Sequence, residues 1–526
     1  MRTKGDSYPD YTAEIAAVRE NGITLDLLHA IIEKHSGNRE YNRKLYARYR
    51  CVDDGVPIFG RQPKYPDEEG ESINNKVNND FFSEIVDIKT GYFAGKAISY
   101  SYSTTDESEG DTGGEVAVDE AAKALSDFVT RNNMYDVDME TTKLAAMYGY
   151  CGRLFYADPD GAERVMPVHG YETIVLSNTS ITEPEYAIRY YSSSDLGGKE
   201  VWNAEFYDSA SVKYYSGEPG ALVPGAEKAH FFGACPLQGI PNNNELLGDA
   251  EKVLNLVDDY DKVVSDNSNE IESFVHALMA IENINIPDDE IRKMQTTGSI
   301  SYYSGANQGK IYFVTKEIND AFTEHHLQRL EGNIYRFSKT PNLGDESFGT
   351  ASGVSLKFKL TGLETKCGMF QAKMQTAGVY MFKLLARIWA ARGLSVDPLQ
   401  CFMGFKRNFP LDLAAEAQTV QQLIAAGLPK EVAFEQLSFI DDVGYVMALL
   451  EAEMDGVPLL EGDDGVDIDA TAGATSTLNG AQITAFMGII QNMKDGVLSR
   501  EAAITLAIST LGVSRENAEA IIEEQV

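Results

Sequence analysis

The stretch Leu246-Leu-Gly-Asp-Ala-Glu-Lys-Val-Leu-Asn-Leu-Val-Asp-Asp-Tyr-Asp-Lys-Val-Val264 decides how the rest of this 526-residue chain is read. Its residues Leu246, Ala250, Val253, Val257, Tyr260 and Val264 fall alternately four and three apart, which places them on one face of a helix. Such a stripe requires a neighbouring helix. The segment and its continuation carry Glu245, Asp249, Glu251, Asp258, Asp259, Asp261, Asp266, Glu270 and Glu272 against Lys252 and Lys262, so the opposite face is strongly acidic.

Downstream come a small insert, with a short acidic helix near Pro287–Met294 and strands at Ser299–Tyr303 and Lys310–Thr315, and a second helix from about Ile318 to Lys339. The run Pro341-Asn-Leu-Gly-Asp-Glu-Ser-Phe-Gly-Thr-Ala-Ser-Gly353 has the composition of a mobile loop. From Val354 to Arg392 there is no proline, and an unbroken helix over that span is about 58 Å long. It bears Lys357, Lys359, Lys366, Lys373, Lys383, Arg387 and Arg392 but a single acid, Glu364. That reversal fits a helix crossing between subunits or lying on an acidic neighbour; a buried helix whose lysines snorkel to solvent fits it too.

Composition narrows the class. There are 45 Lys plus Arg against 80 Asp plus Glu, a net charge of -35, which argues against a protein that grips phosphates over its whole surface. A negative wall is nonetheless compatible with DNA that must slide past without adhering, although ordinary solvated carboxylates meet the same numbers. The five cysteines, Cys51, Cys151, Cys235, Cys367 and Cys401, have no paired metal spacing, and a reducing compartment is expected. With no apolar leader after Met1 and no long uncharged apolar run, neither secretion nor a membrane span is expected.

Elsewhere, residues 23–50 read as a helix that turns basic and aromatic through Arg39, Tyr41, Arg43, Lys44, Tyr46, Arg48, Tyr49 and Arg50. That interleaving suits a nucleic-acid patch or a helix packed on an acidic surface. A helix ending at glycine and a strand at Ala97–Tyr102 follow, then a disordered loop at Thr104–Glu115, helix over 119–147 and short strands over 150–232. Phe402–Phe409 reads as a return strand, and Leu411–Val526 as mostly helical, with an acidic linker at Glu461–Gly473 and a helical pair from Leu478 to Leu506. That C-terminal region holds 20 acids against 4 bases.

Catalytic and metal motifs are missing. Gly91-Tyr-Phe-Ala-Gly-Lys-Ala lacks the spacing and terminal hydroxyl of a phosphate loop. His325 and His326 are adjacent on a helix and point about 100° apart. Asp463-Asp-Gly-Val-Asp-Ile-Asp469 has neither the glycine position nor the closing glutamate of a calcium loop. No cofactor, metal or catalytic residue is expected.

Several pieces together carry a resemblance: Asn74-Asn-Lys-Val-Asn-Asn-Asp-Phe-Phe82, Lys89-Thr-Gly-Tyr-Phe-Ala-Gly95, Cys235-Pro-Leu237, Asn242-Asn-Asn-Glu-Leu-Leu-Gly-Asp-Ala-Glu251, Thr340-Pro-Asn-Leu343, Ser352-Gly-Val-Ser-Leu-Lys357 and Phe405-Lys-Arg-Asn-Phe-Pro410. In their order and spacing the chain resembles the portal proteins of tailed bacteriophages, in the branch typified by long, non-contractile tailed phages of Gram-positive hosts. The resemblance implies an α+β, predominantly helical portal fold with wing, stem, clip and crown, assembled as a cyclic homo-oligomeric ring, normally of about twelve subunits.

On that basis residues 1–241 and 353–411 form the wing, 242–274 and 318–340 the stem helices, 275–317 the clip and 412–526 the crown with the acidic C-terminal region. Residues 341–352 form the tunnel loop, with Asn342, Leu343, Gly344, Asp345, Glu346, Ser347, Phe348, Gly349 and Thr350 facing double-stranded DNA. Because that loop has no Lys or Arg, any grip on DNA there is expected to be steric or through backbone groups. Glu245, Asp249, Asp258, Asp259 and Asp266 are expected to form an acidic channel wall, and Leu246, Val253, Val257, Tyr260 and Val264 to pack between subunits. The implied partners are the terminase large subunit, the head-tail connector, and the major capsid and scaffolding proteins, with no membrane. The implied location is a capsid vertex of the virion, after assembly in the host bacterial cytoplasm. A non-ring acidic adaptor that binds scaffold in the virion is the alternative.

Overall fold

The computed structural model describes residues 8–52, 55–63, 73–103, 112–176, 183–275, 278–282, 287, 310–314, 320–344, 353–408, 413–434, 437 and 446–447. The chain divides into two units, Met1–Phe439 and Ile440–Val526, and every element named below lies in the first.

Two N-terminal helices, α1 (Thr12–Asn21) and α2 (Leu25–Tyr49), pack on a sheet. Thr24 caps α2 by accepting a hydrogen bond from the Leu27 N–H. Leu28, Ile31, His35, Asn38, Asn42, Leu45 and Arg48 form its buried stripe, three and four residues apart as helical packing demands. The sheet under α2 is a five-stranded antiparallel meander: β4 (Thr173–Leu176), β5 (Tyr186–Ser194), β6 (Glu200–Tyr207), β7 (Ser211–Glu218) and β8 (Ala221–Ala229). Ile174, Ile188, Trp202, Ala204 and Phe206 close one apolar core against α1 and α2.

A second core gathers α3 (Phe81–Ala94), α5 (Met134–Tyr148), α6 (Leu254–Val275), α7 (Asp320–Ser338) and the first half of α8 (Gly353–Ala391). α8 threads two cores in succession. Leu360, Leu363, Cys367, Phe370 and Met374 join the α3–α5–α6 core, whereas Met381, Leu384, Ile388 and Trp389 join α4 (Thr112–Arg131) through Phe128. This shared duty accounts for a helix of 39 residues.

β2 (Tyr150–Ala157) is flanked antiparallel by β3 (Glu163–Val168) and β9 (Leu237–Pro241). β1 (Ser99–Tyr102) pairs with β12 (Cys401–Gly404), tying the chain after α8 back to the N-terminal part. β10 (Leu278–Glu282) pairs antiparallel with β11 (Lys310–Val314). The helices α9 (Leu413–Ala425) and α10 (Lys430–Phe434) follow β12. Cys151, Cys235, Cys367 and Cys401 are buried free thiols.

Several expectations need correction. Thr112–Glu115 is the start of α4, not loop, and the helix expected over 119–147 breaks at Asn132-Asn133, where Asn133 takes a left-handed φ of 46°, a conformation its short polar side chain tolerates. The strand Leu278–Glu282 is an additional element that the sequence pattern does not mark, and the return strand is confined to Cys401–Gly404. The helix expected near Pro287–Met294, the strand at Ser299–Tyr303, the linker at Glu461–Gly473 and the helical pair from Leu478 lie outside the described residues, save Pro287.

Candidate functional site

The helix that opens the stretch quoted first begins at Leu254, preceded by a short 3-10 turn over Glu251–Val253, not at Leu246. The reason is tertiary. Leu246 stands at φ 54°, and residues 242–250 form a loop pressed onto the end of α5. Gly149 caps α5 at φ 84°, and a Cβ there would lie 2.1 Å from the Leu246 carbonyl oxygen; at Gly248 it would lie 2.5 Å from that of Met147. The Asn242 N–H donates to Gly149 O (2.8 Å) and the Asp249 N–H to Ala146 O (2.7 Å). Asn242 Nδ2 donates to Leu247 O (2.9 Å), and Asn243 Oδ1 accepts from the Leu247 N–H (2.9 Å).

This loop delivers Asp249 into a buried ion cluster. Lys89 Nζ of α3 lies 2.9 Å from Asp249 Oδ2 and Lys366 Nζ of α8 lies 3.2 Å from Oδ1, with the three side chains 1, 10 and 5% exposed for Lys89, Lys366 and Asp249. Lys89 also donates to Asn242 Oδ1 and sits over the Phe370 ring. Burial by itself raises the Asp249 pKa, but the two ammonium groups outweigh it and leave the carboxyl below its ordinary value. Burial pushes the Lys366 pKa down despite its partner. Nearby, Arg407 donates to Glu364 (2.9 Å) and Gln371 (2.9 Å) of α8 and lies over Phe93, while the Asn408 N–H donates to Tyr92 O. Lys89, Asn242 and Arg407, from three of the quoted sequence pieces, thus stabilise one junction of α3, the loop before α6, and α8.

The acidic face of α6 has a specific use. Residues 73–80 run extended beside it, and the N–H groups of Asn75, Val77 and Asn79 donate to Asn269 Oδ1 (2.6 Å), Ser265 Oγ (3.0 Å) and Asp261 Oδ1 (2.8 Å). Two extended residues advance about 6.6 Å and four helical residues about 6 Å, so alternate N–H groups keep step with every fourth helical residue. Asn79 Nδ2 adds a bond to Asp261 (3.0 Å) and Asn75 Nδ2 one to Glu272 (2.6 Å). The sequence signal was available, because Asp261, Ser265 and Asn269 stand four apart. It was masked by the acids around them.

The structure therefore redistributes the expected channel residues. Asp249 is buried in the ion cluster, Asp258 pairs with Arg48, Asp266 pairs with Arg61, and Asp259 lies 3.7 Å from His326 of α7. Glu245 is exposed. The apolar stripe does not stand free for a neighbouring subunit: Leu246, Val253 and Val257 are 9, 0 and 1% exposed within their own chain. Val253 and Val257 pack in the core that includes Ile334 and Leu363. Tyr260 meets the edge of Phe81 at 5.0 Å, and Val264 is half-buried. In the expected tunnel loop, Asn342 donates to Glu331 Oε1 (2.8 Å) and accepts from the Gly344 N–H (2.9 Å), with Leu343 exposed. Asp345, Glu346, Ser347, Phe348, Gly349 and Thr350 lie outside the described residues.

Among the described residues no group of His, Cys, Asp or Glu side chains is placed to hold a metal ion, and no helix is long and apolar enough to cross a membrane. The described arrangement is scaffolding: buried charge pairs and backbone-to-side-chain bonds that fix helices against one another.

Two curated relatives match over most of their length. A portal protein of Bacillus phage SPP1 is 22% identical over 498 residues, covering 87% of this chain and 94% of the relative. A portal protein of Clostridium phage phiCD119 is 21% identical over 450 residues, covering 80% and 94% respectively. The family model described as phage portal protein, SPP1 Gp6-like, matches residues 28–457. The chain belongs to the SPP1 Gp6-like family of phage portal proteins.

Proposed function

We propose that this portal-family chain assembles as a closed ring of about twelve copies at one capsid vertex and forms the channel through which double-stranded DNA is packaged and later ejected. Residues 242–274 and 318–340 act as stem, 275–317 as clip, 341–352 as tunnel loop, 1–241 with 353–411 as wing, and 412–526 as crown. The clip docks the terminase large subunit during packaging and the head-tail connector afterwards, and major capsid and scaffolding proteins surround the wing. The ring is a structural conduit and turns over no substrate itself.

The observation that carries this reading is the family match over residues 28–457, which spans the helix–insert–helix–loop–long helix order from α6 to α8. The molecule's charge supports it: at a net charge of -35, electrostatic repulsion keeps DNA from adhering to a wall it must pass. Since α6 commits its apolar stripe and part of its acid set internally, subunit contacts are assigned to other faces.

The test is the native mass of the purified protein by light scattering, with negative-stain images for rotational symmetry. A closed ring of about twelve copies with a central hole is expected. A monomer or dimer that stays so on co-expression with scaffolding protein would overturn the ring in favour of a non-ring adaptor.

A further inference from the structure

The basic and aromatic run of α2 is not used by the conduit reading. Arg39, Arg43, Tyr46 and Arg50 stand four, three and four residues apart, on one face of the helix. They line a groove of about 1210 Å³ between α2, Tyr171, Tyr190 of β5 and the turn at Pro219-Gly220. Elsewhere Arg19, Arg48, Arg61, Arg153 and Arg407 each meet a carboxylate. Among the described residues none is paired with Arg39, Arg43 or Arg50, in a chain with 80 acids and 45 bases.

Arg39 is the floor of the groove. Its guanidinium carbon sits 4.0 Å from the Trp202 ring centroid and 4.9 Å from that of Tyr190, and its Nε is buried with no hydrogen-bond partner. A half-buried guanidinium held over aromatic rings, with its outer edge toward the groove, is set to receive a planar anion such as a carboxylate. Arg50 sits over the Tyr46 ring, 5.5 Å from its centroid, farther along the same row.

We infer that this groove docks an extended acidic peptide segment of a partner protein. Its volume exceeds the about 300–1,000 Å³ of small-molecule pockets and suits several residues in a row. Its signs are mixed: Glu33, Glu40 and Glu172 line it beside the arginines, and Glu40 is already paired with Lys44 at 2.7 Å. Glu33 can accept from a peptide's backbone N–H groups while the arginines receive its acidic side chains. A nucleic-acid backbone offers phosphate acceptors but no N–H donor for such a carboxylate, whereas a peptide main chain supplies one at nearly every residue. Acidic side chains two apart on an extended peptide are about 6.6 Å from one another, close to the about 6 Å that separates Arg39 from Arg43 along α2.

The test is fluorescence anisotropy of a fluorescein-labelled poly(Glu-Tyr) peptide added to the full chain, with unlabelled oligothymidylate as competitor. Wild type is expected to bind, more weakly as salt rises, and to keep the peptide when oligothymidylate is present. Arg43→Glu with Arg50→Glu, at exposed positions, is expected to lose at least about tenfold in affinity with an unchanged melting temperature. If that variant misfolds, Arg43→Gln with Arg50→Gln gives the same comparison. No binding by wild type, or equal binding by the folded variant, would overturn the inference. Displacement by oligothymidylate would replace the peptide with a nucleic acid. The measurement does not depend on subunit number, so its failure leaves the ring proposal standing.

Discussion

α6 and α8 are each dominated by one sign of charge, and each satisfies much of that charge inside its own chain, but by different physics. α8 anchors through a dry contact: Lys366 and Lys89 close on Asp249 in side chains 10% exposed or less. Lys383 finds an exposed partner in Glu183, and Arg392, just past the helix end, reaches the buried Glu163. The ion pairs of α6 are half-wet, with Asp258 and Asp266 37 and 43% exposed beside Arg48 and Arg61, while the ladder from residues 75–79 brings neutral N–H donors to the buried Asp261 and Ser265. A helix rich in one charge is thus not in itself a surface for an external partner. What separates the two contacts energetically is how much water remains around each pair.

The sharpest way to break the contrast is Asp249→Ala, which leaves two ammonium groups buried without a counter-charge. It is expected to cost about 3–5 kcal/mol in denaturant unfolding, and a loss below about 1 kcal/mol would place that cluster among surface pairs. Its pH dependence has a definite sign. The Asp249 pKa is lower in the folded chain than its ordinary 3.8, so its contribution is present above that value and is lost as pH falls through the folded-state pKa. Asp249→Asn is expected to remove that part of the acid sensitivity, as read from unfolding midpoints on either side of pH 4.

Asp261→Ala comes next. It strands two donors of Asn79 and is expected to cost about 1–3 kcal/mol, with faster hydrogen exchange at Val77 and Asn79. Arg61→Ala removes a pair whose members are 18 and 43% exposed, and the expected loss is at most about 1 kcal/mol and smaller at high salt. If Arg61→Ala proves costlier than Asp249→Ala, the ranking of wet and dry contacts fails.

Much of the fold is legible in the sequence. The extents of α2 and α8, the glycine-ended α3 and the strand-rich middle follow from period, caps and the absence of proline, because long amphipathic helices declare themselves locally. The start of α6 did not. Leu246 and Ala250 continue the stripe in sequence, but two close glycine contacts hold them in a loop, where they are buried within their own chain. β10 escaped because Leu-Met-Ala-Ile-Glu has no alternation to mark it. The use of the acids was hidden for a different reason: the Asn75, Val77 and Asn79 donors are backbone groups, which side-chain patterns do not reveal. Arg39 was legible as a cation, but its seat on Trp202 depends on β6, far away in sequence.

The most direct test of the internal assignment of α6 is the thermal unfolding of Val257→Asp, recorded together with electron micrographs of the same sample. Val257 is 1% exposed within its own subunit, so an unpaired carboxylate there must be buried in the core. The prediction is a lowered melting temperature at every protein concentration, with loss of the native subunit fold. A variant that melts like wild type yet no longer forms rings would contradict the account and return the stripe to the interface between subunits.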